Sequence, residues 1–131
     1  MVDIIEKAVA LLQAGELVAL PTETVYGLAA LADNDDAIQK IFTLKQRPTS
    51  HPLIVHIADV ESLAAWAQII PQSAYKLAEI FWPGPLTLVL KKMRSVSDKI
   101  TSGQTTVALR CPAHPLTLAI LRQLKNGICA P

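Results

Sequence analysis

Apolar positions repeat with a helical period in some stretches and in short unbroken runs in others, and the alternation outlines the elements. Ile4, Ile5, Ala8, Leu11 and Leu12 fall on one face of a helix that Asp3 would cap and Gly15 would stop. Residues 17–20 then read as a short buried strand, and residues 21–30, PTETVYGLAA, as the loop after it. Asn34, Asp35 and Asp36 offer caps for a second helix through Ala37, Ile38, Ile41 and Phe42, ending before Arg47-Pro48. Residues 53–57 are apolar on both faces apart from His56, as in an interior strand of a covered sheet. Asp59 would cap a helix through Val60, Leu63, Ala64 and Trp66. Pro71 and Ser73 would open another through Leu77, Ile80 and Phe81, which Pro83-Gly84-Pro85 ends. Residues 86–90 and 105–110 are two more strands, 114–124 a helix, and 127–130 the start of a further strand.

Strands and helices mix along the whole chain, so the class is α/β or α+β around one mainly buried, twisted sheet. The 131 residues suit one domain, and a hydrophobic fraction of 51% argues against disorder. The formal net charge is only +1, but it is unevenly spread. Residues 1–90 hold five lysines and arginines against ten carboxylates, a net of −5, whereas residues 91–131 hold seven against Asp98 alone, a net of +6. Such a segment is either a surface for a polyanion or a solvated basic face. Cys111 and Cys129 lack C-x-x-C spacing and read as two buried free thiols. Asp3 and Glu6 stand where a signal peptide would carry positive charge, and the longest uncharged run, 62–75, is too short for a membrane span. The expectation is a soluble, cytoplasmic protein.

Four places could carry chemistry. In the loop after the first strand, Thr22 and Thr24 supply hydroxyls, Glu23 a carboxylate and Tyr26 an aromatic wall, although threonines in loops also make ordinary turns. Lys45 and Arg47 could grip one polyphosphate, the lysine as a mobile charge and the arginine as a planar fork. Cations at a helix end also simply offset the macrodipole. Alternation puts Thr106, Ala108 and Arg110 on one strand face, with room over Ala108 for a ligand and a guanidinium able to fork onto a carboxylate. An exposed edge strand would look similar. His56 is a polar residue in an apolar strand, and so either a ligand contact or a satisfied core histidine. No phosphate-binding G-x-x-x-x-G-K-[ST] motif and no nucleophile elbow occurs.

Five ordered motifs go further: PTETVYGLAA at 21–30, IFTLKQRP with HPLIVHI at 41–57, WPGPLTLVLKK at 82–92, TTVALRCPAHP at 105–115 and GICAP at 127–131. Together, from Leu17 to Pro131, they resemble the YrdC-like threonylcarbamoyl-AMP synthase family. The resemblance implies an α/β twisted open sheet flanked by helices around a concave cavity. It also implies a reaction in which ATP, bicarbonate and L-threonine give threonylcarbamoyl-AMP and pyrophosphate, with Mg²⁺ accompanying the triphosphate. Partner transferases then modify tRNA. By the same resemblance Thr22, Tyr26, His56, Arg110 and Ala130 belong to the threonine site, and Lys45, Arg47, Thr49 and Thr106 to the nucleotide site. Lys45 and Arg47 would also serve the chemistry. The family pattern continues into a Ser-x-Asn motif, whereas this sequence reaches only Ala130-Pro131, so the expectation is a domain truncated before that motif. Met1 directly ahead of a capped helix reads as a stand-alone N-terminus. The alternative reading is a non-catalytic YrdC-like module that holds nucleotide, tRNA or double-stranded RNA.

Overall fold

The computed structural model describes residues 2–23 and 25–131; Met1 and Thr24, the second loop threonine named above, lie outside the described residues. The strands are β1 (Val18–Pro21), β2 (Tyr26–Leu31), β3 (Ile54–His56), β4 (Leu88–Lys91), β5 (Thr106–Arg110) and β6 (Ile128–Ala130). They form one open six-stranded sheet in the order β1-β2-β6-β3-β5-β4. Only β3 and β5 pair in parallel; the other neighbours run antiparallel. The helices are α1 (Val2–Gln13), α2 (Asp35–Lys45), α3 (Leu63–Trp66), α4 (Gln72–Phe81), α5 (Asp98–Thr101) and α6 (Pro115–Leu124), with a 3₁₀ turn at Val60–Ser62.

Most expected elements are present, and the departures have local causes. The segment expected as loop is mainly strand: Tyr26–Leu31 folds back on β1 as a hairpin, with Leu20 opposite Gly27 and Val18 opposite Ala29. Its small residues lack the β-branched signature of a strand, but pairing on both sides secures it. Asp3 lies in the first turn of α1 rather than before it, where its charge favours the helix dipole. Asn34 does cap α2, accepting from the Ala37 N–H at 3.0 Å. Helix α4 buries Ala74 and Ala78 rather than its larger apolar residues, leaving Ile80 71% exposed. Two alanines one turn apart let that helix lie close to its neighbours, and the bulky residues fall outside.

The two faces of the sheet are covered unequally. On one face Val55, Val107, Leu109, Leu88, Ala30 and Cys129 are buried with Ile38, Ile41 and Phe42 of α2, Leu63 of α3, Ala78 of α4 and Ile100 of α5. Each fully buried leucine or isoleucine there contributes about 1.5–3 kcal/mol. On the other face α1 and α6 pack Ala8, Leu12, Ile120, Leu121 and Leu124 against Leu20, Ala29 and Ile128. That cover reaches β1, β2 and β6 only. Beyond it Ile54, Thr106, Ala108 and Arg110 are only half-buried, and Val89 is 64% exposed.

The turn leading into β4 is fastened to the end of β5. The Trp82 indole N–H donates to the Leu86 carbonyl at 2.8 Å, and the Gly84 N–H donates to the Cys111 carbonyl at 2.8 Å. A Cβ on Gly84 would lie 2.5 Å from the Phe81 carbonyl oxygen, a backbone atom with little freedom to yield. Gly84→Ala is therefore expected to cost about 1–3 kcal/mol of stability through forced backbone movement. Urea unfolding measures it, and an unchanged midpoint would show that the turn absorbs the methyl group.

Candidate functional site

Strand register assembles the site at the border of the helix cover, with His56 and Ala130 buried and Ile54, Thr106, Ala108 and Arg110 half-buried. His56 of β3 lies directly opposite Arg110 of β5, and Ile54 opposite Ala108. On the other side of β3, Ile54 faces Ala130 and His56 faces Ile128. Residues opposite one another share a face, as do residues two apart, so His56, Arg110, Ala108, Thr106, Ile54 and Ala130 line one floor. Four of the residues expected in the site, His56, Arg110, Thr106 and Ala130, are thus brought together by the central strands.

Electrostatics distinguish the His56 end. Its side chain is 4% exposed, and its Nδ1 is buried without a hydrogen-bond partner. Burial first and the Arg110 guanidinium second hold the imidazole pKa down at about 4, against an opposing pull from the Glu23 carboxylate. At neutral pH a neutral, unsatisfied imidazole therefore stands beside a guanidinium. Arg110 does not swing freely: its Nε and Nη2 both donate to Thr87 Oγ1, at 2.9 and 2.7 Å.

The hairpin tip is closed upon itself. Thr22 Oγ1 donates to the Val25 carbonyl at 2.5 Å and accepts from the Val25 N–H at 3.3 Å, so its hydroxyl serves the turn in this structure. Glu23 accepts from the Ala113 N–H, and the buried Thr117 hydroxyl donates to the Pro21 carbonyl at 2.6 Å. These bonds tie the β1 side of the tip to the start of α6. Tyr26 begins β2 with 75% of its surface exposed.

Lys45, Arg47 and Thr49 lie at the opposite end of the strands. Lys45 is exposed in the last turn of α2. The Arg47 guanidinium is held by its own loop, donating through Nε to the His51 carbonyl at 3.3 Å and through Nη2 to the Pro52 carbonyl at 2.9 Å. That loop is fixed in turn by Ser102, which donates to the Thr49 carbonyl at 2.6 Å, and by Leu53, which donates to the Ile100 carbonyl at 2.8 Å. It therefore sits beside α5, where β5 begins at Thr106. With a strand rise of about 3.3 Å per residue, Thr106 and Arg110 stand about 13 Å apart along the floor.

The basic excess is not gathered in one place. Lys92 pairs with Asp98 at 3.1 Å, Lys99 donates to Gln39, and Arg122 and Lys125 border a cleft of about 510 Å³ with Asp33 and Asp59. That cleft contains none of the expected site residues and has carboxylates beside its cations, so the floor with His56 and Arg110 is chemically the better site. Both cysteines are free and buried, with burial raising Cys111 to about 11 and Cys129 to about 12. Neither is a thiolate near neutral pH. Among the described residues, no three His, Cys, Asp or Glu side chains gather to hold a metal, and no helix is long and apolar enough to cross a membrane.

Two partnerships were not foreseen from the sequence. Thr87 reads as one more residue of a strand until the register extends from Leu88 and Leu109 to set it opposite Arg110. Glu23 was visible as a loop carboxylate, but its partner lies ninety residues away.

Known proteins share this fold and much of this sequence. The Sua5/YciO/YrdC family model, described as telomere recombination, matches residues 10–131. The chain is 50% identical over 128 residues to a threonylcarbamoyl-AMP synthase of Bacillus subtilis, covering 97% of this chain and 37% of that protein. A Pyrococcus abyssi threonylcarbamoyl-AMP synthase is 49% identical over 124 residues, with 95% of this chain and 36% of that protein covered. The solved structure of P. abyssi Sua5 complexed with L-threonine superposes with a TM-score of 0.94 at 49% identity, over 97% of this chain and 37% of that one. Escherichia coli YciO, at 23% identity and a TM-score of 0.88, shares the fold over the whole of this chain and 64% of its own. The chain thus spans little more than a third of either of these two synthases.

The His56 pKa makes stability depend on pH in a definite direction. Because its folded value of about 4 lies below its ordinary 6.5, the unfolded chain binds the proton more readily between those values. The contribution is complete above pH 6.5 and falls away as pH drops toward 4, by roughly 3 kcal/mol in all. Urea unfolding at pH 7, 5.5 and 4 should show a shallower loss for His56→Gln than for the wild type. Parallel losses in the two proteins would mean that His56 does not titrate in this way.

Proposed function

Because the chain belongs to the Sua5/YciO/YrdC family, we propose that it supplies the threonine and ATP floor of a threonylcarbamoyl-AMP synthase. The observation that carries this reading is the pairing of a buried, neutral His56 with a half-buried Arg110 at the edge of the uncovered sheet face. A zwitterionic amino acid needs a cation for its carboxylate and an acceptor for its ammonium or hydroxyl, and these two side chains supply both. The L-threonine complex of the P. abyssi relative supports threonine as that amino acid.

In this reading Arg110 receives the threonine carboxylate, and His56 with Thr22 faces its polar groups. Tyr26 and Ala130 border the same end. Thr106, Thr49, Lys45 and Arg47 serve the nucleotide at the other end, where Lys45 and Arg47 neutralise phosphate and the bicarbonate-derived group. Mg²⁺ arrives with the triphosphate as part of that substrate. The threonine amine attacks the carbon of bicarbonate, water leaves, and the carbamate oxygen then attacks the α-phosphorus with pyrophosphate departing. Both steps bring anions together, so the work of the protein is alignment and charge neutralisation, with no protein nucleophile required. The product would feed transfer of the threonylcarbamoyl group to tRNA.

Threonine-dependent pyrophosphate release from ATP in bicarbonate buffer, with serine as the control amino acid, tests the reading. Arg110→Ala should weaken threonine binding by about 10- to 100-fold and leave ATP binding nearly intact, whereas Lys45→Ala should do the reverse. Equal losses of both ligands in both variants would overturn the assignment of ends. Threonine binding without pyrophosphate release would instead indicate a binding module.

A further inference from the structure

Thr87 lies outside every motif role considered above, yet it decides how Arg110 can be used. A guanidinium offers five N–H groups and two edges that fit a carboxylate: a side edge of Nε and Nη2, and an end edge of Nη1 and Nη2. Thr87 Oγ1 accepts from both Nε and Nη2, so the side edge is already filled by one oxygen. Three N–H groups remain, and the only bidentate pair among them is the end edge. We propose that Thr87 is a positioning residue that locks Arg110 to receive its anionic ligand end-on.

The surroundings give this lock rigidity. Thr87 follows directly on the turn held by the Trp82 and Gly84 hydrogen bonds, and Leu88, its neighbour, is buried opposite Leu109. Leu109 in turn precedes Arg110, so donor and acceptor are both anchored by adjacent side chains in the core. An arginine without this partner would lose several rotatable bonds of freedom on binding; here the ordering is complete beforehand, and the ligand meets a fixed fork. End-on use also holds the carboxylate farther out along the side-chain axis than side-on use would, which sets where the amino group must lie relative to His56.

The proposal rests on the reading that Arg110 binds the threonine carboxylate, and two measurements separate them. The first needs no ligand: ¹⁵N-edited spectra of the four arginines report the Nε–H of Arg110, identified by its disappearance in Arg110→Lys. That resonance should be protected from exchange in the wild type, lose protection in Thr87→Val, which keeps the β-branched shape, and regain it in Thr87→Ser. The second is threonine and ATP titration. Thr87→Val should bind threonine about tenfold more weakly, equivalent to about 1.4 kcal/mol, with ATP affinity unchanged and Thr87→Ser close to wild type. In an Arg110→Lys background the Thr87→Val loss should vanish, since the effect acts through the guanidinium. An Arg110 Nε–H indifferent to Thr87, or a loss that persists in the Arg110→Lys background, overturns the proposal. A Thr87-dependent Nε–H in a chain that binds no threonine instead overturns the carboxylate role of Arg110, and with it the end-on assignment.

Discussion

Helices α1 and α6 pack over β1, β2 and β6 and stop there, and that incomplete cover is the constraint on which the site depends. A sheet face with no helix above it must be polar, or wetted, or occupied. Here it carries a guanidinium and a hydroxyl among apolar residues, with a buried imidazole at its border. The same strands are fully committed on their other side, where Val55, Val107 and Leu109 are buried to the last per cent. In β5 the core and the site alternate residue by residue. Moving a functional side chain would therefore mean moving a core one, and preorganisation follows from the pleat of the strand.

His56 and Arg110 form a pair whose members influence one another's chemistry. Burial, helped by the neighbouring guanidinium, keeps the imidazole neutral, and a neutral imidazole can accept a hydrogen bond where a protonated one cannot. An anion bound on Arg110 would cancel much of that field and make His56 more basic. Glu23, on the hairpin tip, already biases the pair in the same direction.

Much of this was legible in the sequence because chemistry and periodicity coincided. The face carrying Thr106, Ala108 and Arg110 followed from simple alternation, and the interior position of β3 from its unbroken apolar run. What stayed hidden was relational. That His56 meets Arg110 depends on the register of two parallel strands more than fifty residues apart, which neither strand encodes alone. Thr87 was invisible for the same reason. Strand β2 was missed because glycine and alanine carry little β-preference, and its structure comes from its partners. The inward face of α4 was misjudged because size was taken for burial, when Ala74 and Ala78 are the residues that fit.

Strand β6 has a consequence measured in time. Three residues join the β1-β2 hairpin to the β3-β5-β4 group, and Cys129 reaches back to Ala30, 99 positions earlier. Contacts this remote form late, because a long loop must close before they reward the chain. Until Ile128, Cys129 and Ala130 arrive, β2 and β3 each present an unpaired edge, the kind that recruits a strand from another molecule. The centre of the folded sheet thus rests on its most sequence-distant pairings, and any opening there bares two strand edges at once.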